Sequence, residues 1–246
     1  MFEKAQLEKI LSKLHTLDPQ TQRQLWASLS AEVLARCTTD GLFWLRFVNT
    51  RDEADPTQAV KPIPLKEYVT NLWTDYSTEQ VCVIAKSRQM MVSWLTCAFC
   101  VYWARFKPHQ AIYWQTKAWT DAVRMTAMPA GGVSGRCQFI EENLPTWMQL
   151  DCKFSEGRIQ YPNGSIIQAL SGGADQVRSL TGSVFVEDEF AHAEEQEGVY
   201  TALAPLIQKG AKAIFVSTPN GSSNMFATLF HGRPVGELGA GELAHG

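Results

Sequence analysis

VCVIAKSRQMMVSWLTCAFCVYWARF, residues 81–106, is the stretch on which the reading of this chain turns. Residues 81–85 are small or β-branched and apolar and end at a polar break, which is the composition of a buried strand. From Val92 to Phe106 the residues have helical length and spacing, with no glycine or proline to interrupt them. A strand, a tight loop and a helix whose N-terminus faces that loop form a phosphate site, because unpaired backbone N–H groups and the helix dipole both favour an anion.

The standard phosphate loop is GxxxxGK[ST]. With Ser93 as the final hydroxyl, Lys86 stands at the first glycine, Met91 at the second and Val92 at the usual lysine, so Lys86, Ser87, Arg88, Gln89, Met90, Met91, Val92 and Ser93 make up the candidate loop. A working loop still needs a cation for the β and γ phosphates and a hydroxyl for Mg²⁺. Lys86 at its start and Ser93 at its end supply both, and Arg88 adds a guanidinium that is always charged. Methionine enters positive φ far less readily than glycine, so the sequence predicts a loop of altered shape around Met91.

Further along, VFVEDEFAHA places Glu187, Asp188 and Glu189 at the end of an apolar strand. The carboxyl edge of a parallel sheet is where α/β proteins bind ligands, and there Asp188 would join the Mg²⁺ shell while Glu189 orients an attacking water. KAIFVSTPNGSSN follows as another apolar strand, ending in Ser217 and Thr218 with Pro219 fixing the loop beyond. Beside the carboxylate strand, those hydroxyls could sense the γ phosphate. Each element alone also suits a plain solvated strand end or turn. Together they converge on one triphosphate.

The remaining candidate strands are AIYWQ (111–115) and SIIQAL (165–170), beside SVFVE (183–187) and AIFVS (213–217). Short apolar runs alternating with helical stretches predict an α/β domain with a mainly parallel sheet flanked by helices. Pro162-Asn163-Gly164 predicts one inserted antiparallel hairpin. Upstream, apolar residues at helical spacing predict helices over 3–15, 20–36 (Leu25, Leu29, Val33) and 40–48, then a polar loop to about Pro62, and a helix from Leu65 to Trp73. The division expected is a helical extension over 1–60, the phosphate-loop domain over 61–230 and a glycine-rich tail over 231–246, which reads as linker, vector-encoded sequence or an altered reading frame.

At 246 residues with 45% hydrophobic and 19% charged residues, the composition is globular. No stretch has the roughly 18–20 continuous apolar residues of a membrane span, and MFEKAQLEKI lacks a signal-peptide core, so a soluble, intracellular protein without a membrane partner is expected. A net charge of −3 does not advertise nucleic-acid binding by the chain as a whole, and any DNA contact must be local or summed around a ring. Most of the six cysteines sit in apolar runs, so reduced thiols are expected, and Cys97 and Cys100, three apart, suit one buried helix face.

KSRQMMVSW, VFVEDEF and VSTPNGS, in this order, resemble the large terminase subunits of tailed bacteriophages. The likeness covers about residues 40–230, and its most specific feature is a deviant loop with lysine at its start and serine at its end. It implies an additional-strand, RecA-like P-loop fold (ASCE), Mg²⁺-dependent ATP hydrolysis and assembly into a homo-oligomeric ring. The partners implied are double-stranded DNA, the portal protein and the small terminase subunit, and the place is the host cytoplasm, transiently at the portal vertex of the procapsid. Residue by residue, Lys86, Arg88 and Ser93 match the phosphate loop, Asp188 and Glu189 the metal and base pair, and Ser217, Thr218 and Pro219 the coupling motif. Tyr68 is a candidate to stack on adenine, with a core role as its alternative. Arg124 and Arg178 are candidates for the arginine a ring ATPase places against its transition state. The family's second domain is a nuclease that this chain does not contain, so a motor domain without DNA cleavage is expected. Two other readings use the same residues: a helicase-like ATPase, and a non-catalytic module that docks on the portal or capsid, which the missing glycines favour.

Overall fold

The computed structural model describes residues 18–51, 60–88 and 90–232, which fall into two compact units divided between Trp44 and Leu45. In the first unit, helix α1 (Pro19–Thr39) begins where Asp18 accepts hydrogen bonds from the N–H groups of Gln20 and Thr21 at 3.1 and 3.0 Å, with proline in the first turn. Leu29, Val33 and Cys37 form its buried stripe, whereas Leu25 is exposed. The helix predicted over 3–15 lies outside the described residues. Helix α2 (Gly41–Leu45) is shorter than predicted, and Asp40 Oδ1 caps it by accepting from the Phe43 N–H.

The second unit is built on seven strands: β3 (Val81–Ala85), β4 (Ala111–Gln115), β5 (Lys153–Ser155), β6 (Arg158–Gln160), β7 (Ile166–Leu170), β8 (Val184–Asp188) and β9 (Lys212–Ser217). A separate pair, β1 (Asn49–Thr50) and β2 (Lys61–Pro62), precedes them. The spatial order is β3-β9-β8-β4-β7-β6-β5, parallel from β3 to β7 and antiparallel from β7 to β5. The five parallel strands match the predicted ones to within a residue at each end, because continuous apolar composition is what a strand covered on both faces requires. Pro162-Asn163-Gly164 makes the predicted turn, with Gly164 at φ +83° packed so closely on His109 that a Cβ would lie 2.6 Å from its Nδ1. In the same turn Asn163 Nδ2 donates to the Ala104 and Arg105 carbonyls, which satisfies acceptors in the last turn of the central helix described next. Strand β5, exposed along its length, carries no apolar pattern and extends the sheet beyond what the sequence signals.

That helix, α4 (Val92–Phe106), follows β3 after helix α3 (Glu67–Thr78) and is buried around most of its girth. Cys97 and Cys100 are wholly buried within it, and Trp73, Tyr76 and Phe99 pack edge-on or tilted where α3 meets it. Arg105 and Glu141 on α6 (Arg136–Glu142) form a buried ion pair at 2.6 Å. A second cluster, including Tyr113, Phe185, Phe190, Phe215, Val199 and Leu203, packs under α8 (Gln196–Gln208). Shorter helices α5 (Trp119–Met125), α7 (Ala174–Arg178) and α9 (Met225–Phe230) complete the unit. Among the described residues no helix is long and apolar enough to cross a membrane.

Candidate active site

Because β3, β9 and β8 are parallel neighbours, their carboxyl ends meet at one edge, with Ala85 paired to Ser217 and Val216 to Asp188. The chain leaves β3 at Lys86, whose N–H donates to the Ser217 carbonyl at 2.9 Å. Its ammonium group turns back over the edge. Nζ lies 3.1 Å from Ser93 Oγ in the first turn of α4, 3.2 Å from Asp188 Oδ1 and 3.2 Å from Glu189 Oε1. Lys86 is 12% exposed and Asp188 5%, so this is a largely desolvated charge cluster, while Glu189 at 43% opens to solvent.

The loop reaches α4 through Met91 at φ 59°, ψ 4°, the left-handed conformation. Methionine therefore adopts the positive φ that glycine takes more readily. A left-handed non-glycine residue is strained by roughly 1–2 kcal/mol, which the packed helix behind it sustains. Glu189 has the same geometry at φ 55°, ψ 36°, so two of the three left-handed non-glycine residues among those described stand in this site. Strain of this kind gathers where surrounding structure over-determines a functional geometry.

Electrostatics separate the three consecutive acids. Burial alone holds the Glu187 carboxyl well above the usual range; the side chain is 4% exposed and bonds to no described residue. Burial also raises Asp188, with Lys86 pulling against it. At Glu189 burial pushes upward too, but the Lys86 ammonium and the two Thr218 hydrogen bonds together outweigh it and hold the carboxyl below its ordinary value. Glu189 is therefore the acid kept ionised and accessible.

Glu189 Oε2 accepts from the Thr218 hydroxyl at 3.1 Å and from its N–H at 3.4 Å. Ser217 Oγ accepts from the Ala191 N–H at 3.0 Å and donates to the Thr218 carbonyl, and Asn220, just past Pro219, donates to the Ala191 carbonyl. The end of β9 is thus laced to the turn after β8. His192, which the sequence reading did not single out, joins this lacing with Nε2 3.0 Å from Thr218 Oγ1. Its position three residues past Glu189 is the signal that could have found it, since one 3₁₀ turn (Phe190–His192) brings the two back to one side.

The other candidates are placed variously. Ser87, Arg88 and Met90 are exposed on the loop, Val92 is buried in α4, and Gln89 lies outside the described residues. Tyr68 is neither a core side chain nor distant from the loop: half-buried on α3, its hydroxyl donates to the Met90 carbonyl at 3.2 Å. Arg124 and Arg178 are exposed and held by the aspartates three residues before them, Asp121 at 3.2 Å and Asp175 at 2.7 Å. Neither bonds the Lys86 cluster among the described residues. Beyond Asp188 a cavity of about 190 Å³ is lined by Gln115, Thr116, Lys117, Glu187 and Phe190, and a wider cleft of about 570 Å³ lies between α7 and the start of α8, clear of the phosphate loop.

The family model for the terminase large subunit, T4likevirus-type, N-terminal, matches residues 65–235. The chain belongs to the terminase large subunit family. Its structure is similar to that of the HK97 bacteriophage large terminase (TM-score 0.57, 10% identity, covering 82% of this chain and 40% of that one). It is similar also to the large terminase of a thermophilic bacteriophage in complex with ADP (TM-score 0.51, 13% identity, covering 67% and 41%). Those likenesses show the mainly parallel, helix-flanked P-loop fold. This terminase chain spans about two fifths of the length of either relative. Comparison with curated proteins finds no match.

Proposed function

We propose that this chain is the ATP-hydrolysing motor domain of its terminase, coupling hydrolysis to movement of double-stranded DNA into a procapsid. One observation carries the reading: a single ammonium, Lys86 Nζ, lies within 3.2 Å of Ser93 Oγ, Asp188 Oδ1 and Glu189 Oε1. Hard oxygens that converge on a cation at a strand-loop-helix junction fit Mg²⁺ and a triphosphate. The ADP complex of the thermophilic phage's large terminase, which has the same fold, supports a nucleotide here.

In this reading Ser93 and Asp188 would hold the metal. When bound, Mg²⁺ would supply charge neutralisation on the triphosphate, whose β and γ phosphate oxygens the chain's own residues grip. Lys86 and Arg88 clamp those oxygens, and the N–H groups of the loop add donors at the start of α4. Glu189, ionised at neutral pH, orients and polarises the attacking water for in-line displacement. Ser217, Thr218 and Pro219 carry the phosphate state into the loop after β9, since Thr218 bonds the same carboxylate. Tyr68 borders the loop where the base would lie, and the transition-state arginine comes from a neighbouring copy in the ring, with Arg124 and Arg178 as exposed candidates.

Residues 61–230 form the ATPase domain in this proposal, with 1–60 as a helical extension and 231–246 as a tail. The portal protein and small terminase subunit are the partners, in the host cytoplasm and transiently at the portal vertex. Steady-state phosphate release from Mg-ATP by wild type, Lys86→Ala and Glu189→Gln tests the chemistry. Wild-type turnover abolished in both variants is expected, and equal rates in all three overturn it.

A further inference from the structure

A hydroxyl has one proton to give and two lone pairs to receive with, and an ionised carboxylate can only receive. Both oxygens of Glu189 face donors, Oε1 the Lys86 ammonium and Oε2 the Thr218 N–H, so in the 3.1 Å bond between Oε2 and Thr218 Oγ1 the hydroxyl is the donor. That uses the only proton Thr218 Oγ1 has. The 3.0 Å bond between the same oxygen and His192 Nε2 must then run the other way, with the imidazole donating from Nε2. Donor arithmetic thus fixes a direction through three side chains: His192 Nε2–H to Thr218 Oγ1, and Thr218 Oγ1–H to Glu189 Oε2.

We infer that His192 is a positioning residue for hydrolysis, which rests on the functional reading above: by donating to Thr218 it commits the threonine proton to Glu189 and so fixes the carboxylate plane. Without that donor Thr218 Oγ1 loses the 3.0 Å contact that holds its rotamer, and a hydroxyl that swings away leaves Glu189 Oε2 only the longer bond from the Thr218 N–H. The other oxygen, Oε1, is held by Lys86. Two fixed oxygens define the plane in which a water can be held; one leaves it free to swing.

The backbone closes the same circuit. The His192 N–H donates to the Glu189 carbonyl at 2.9 Å, so one residue grips Glu189 directly through its main chain and through Thr218 by its ring. The strained left-handed Glu189 and the strand end bearing Thr218 are thereby tied together. His192 Nε2 stands 4.0 Å from Glu189 Oε2, outside hydrogen-bond distance, so the ring acts through Thr218 at 3.0 Å.

The test has two arms. ¹⁵N spectra of the imidazole rings, assigned with His192→Gln, are expected to show one Nε2–H tautomer for His192 in wild type and a mixture of tautomers in Thr218→Val. Steady-state kinetics of His192→Phe are expected to show kcat reduced about tenfold with KM for ATP within twofold, while His192→Gln, which retains an N–H donor, stays within threefold of wild type. An Nδ1–H tautomer in wild type, or an undiminished kcat in His192→Phe, overturns the inference. So does equal loss in the phenylalanine and glutamine variants, which marks a merely structural residue. A wild type that hydrolyses no ATP removes the functional reading and the catalytic part of the inference with it, while the spectra still decide the direction of the hydrogen-bond chain.

Discussion

Lys86 Nζ and Asp188 Oδ1, 102 positions apart in the chain, lie 3.2 Å apart at the carboxyl edge of the sheet. Strand β9, inserted between β3 and β8, sets the spacing that lets a lysine side chain cross from one strand end to the other. The pair is both a structural tie and the centre of the proposed chemistry, and the two roles are separable.

Removing Lys86 leaves Asp188 buried without its partner. Lys86→Ala is expected to lose on the order of 3 kcal/mol of stability in denaturant titration, the usual consequence of stranding one member of a buried pair. Lys86→Met with Asp188→Asn, having no charge to strand, should recover most of it. Neither variant should release phosphate from ATP; activity in the double variant would detach the pair from catalysis.

Glu189→Gln keeps the size of the side chain and an oxygen able to accept from Thr218. Nucleotide affinity, measured by fluorescent-analogue titration, should stay within about threefold, while kcat should fall by roughly 10²–10³, the scale of a lost general base. A parallel loss of affinity would place Glu189 in ground-state binding instead.

Met91 occupies a left-handed position that glycine adopts freely. Met91→Gly should leave stability unchanged or raise it by up to about 1 kcal/mol, relief of strain being partly offset by the flexibility glycine gives the unfolded chain. Met91→Val, β-branched, should lose at least about 1 kcal/mol. Denaturant midpoints of the three proteins check the order.

Burial raises the folded pKa of Glu187 above the unfolded value, so its contribution is fully present below the ordinary glutamate range and is lost as pH rises through the folded pKa. In that window the unfolded chain binds fewer protons, and stability falls with pH. Glu187→Gln removes the titration. It should match wild type near pH 4 and exceed it in stability at pH 8. Equal denaturant midpoints at both pH values would exclude a raised Glu187.

The parallel strands and α4 could be read from the residues because their code is local. VCVIA, AIYWQ and AIFVS are apolar runs of strand length bounded by polar breaks, and Val92–Phe106 is an uninterrupted helical pattern. Asp188 and Ser217 were equally legible as strand ends. Strand β5 was not, because Lys153–Ser155 is exposed and its pairing with Arg158–Gln160 carries no periodic signal.

By itself the sequence determined which side chains stand at strand ends and helix starts, since apolar periodicity and helix propensity act over a few neighbouring residues. Only the tertiary structure decided how those ends face one another. Strand order placed Lys86 against Asp188, Met91 and Glu189 took left-handed geometry, and burial raised the Glu187 and Asp188 pKa values while Lys86 and Thr218 lowered that of Glu189. The direction of donation from His192 through Thr218 belongs to that second class, because a hydrogen-bond chain depends on distances between atoms that the sequence leaves far apart.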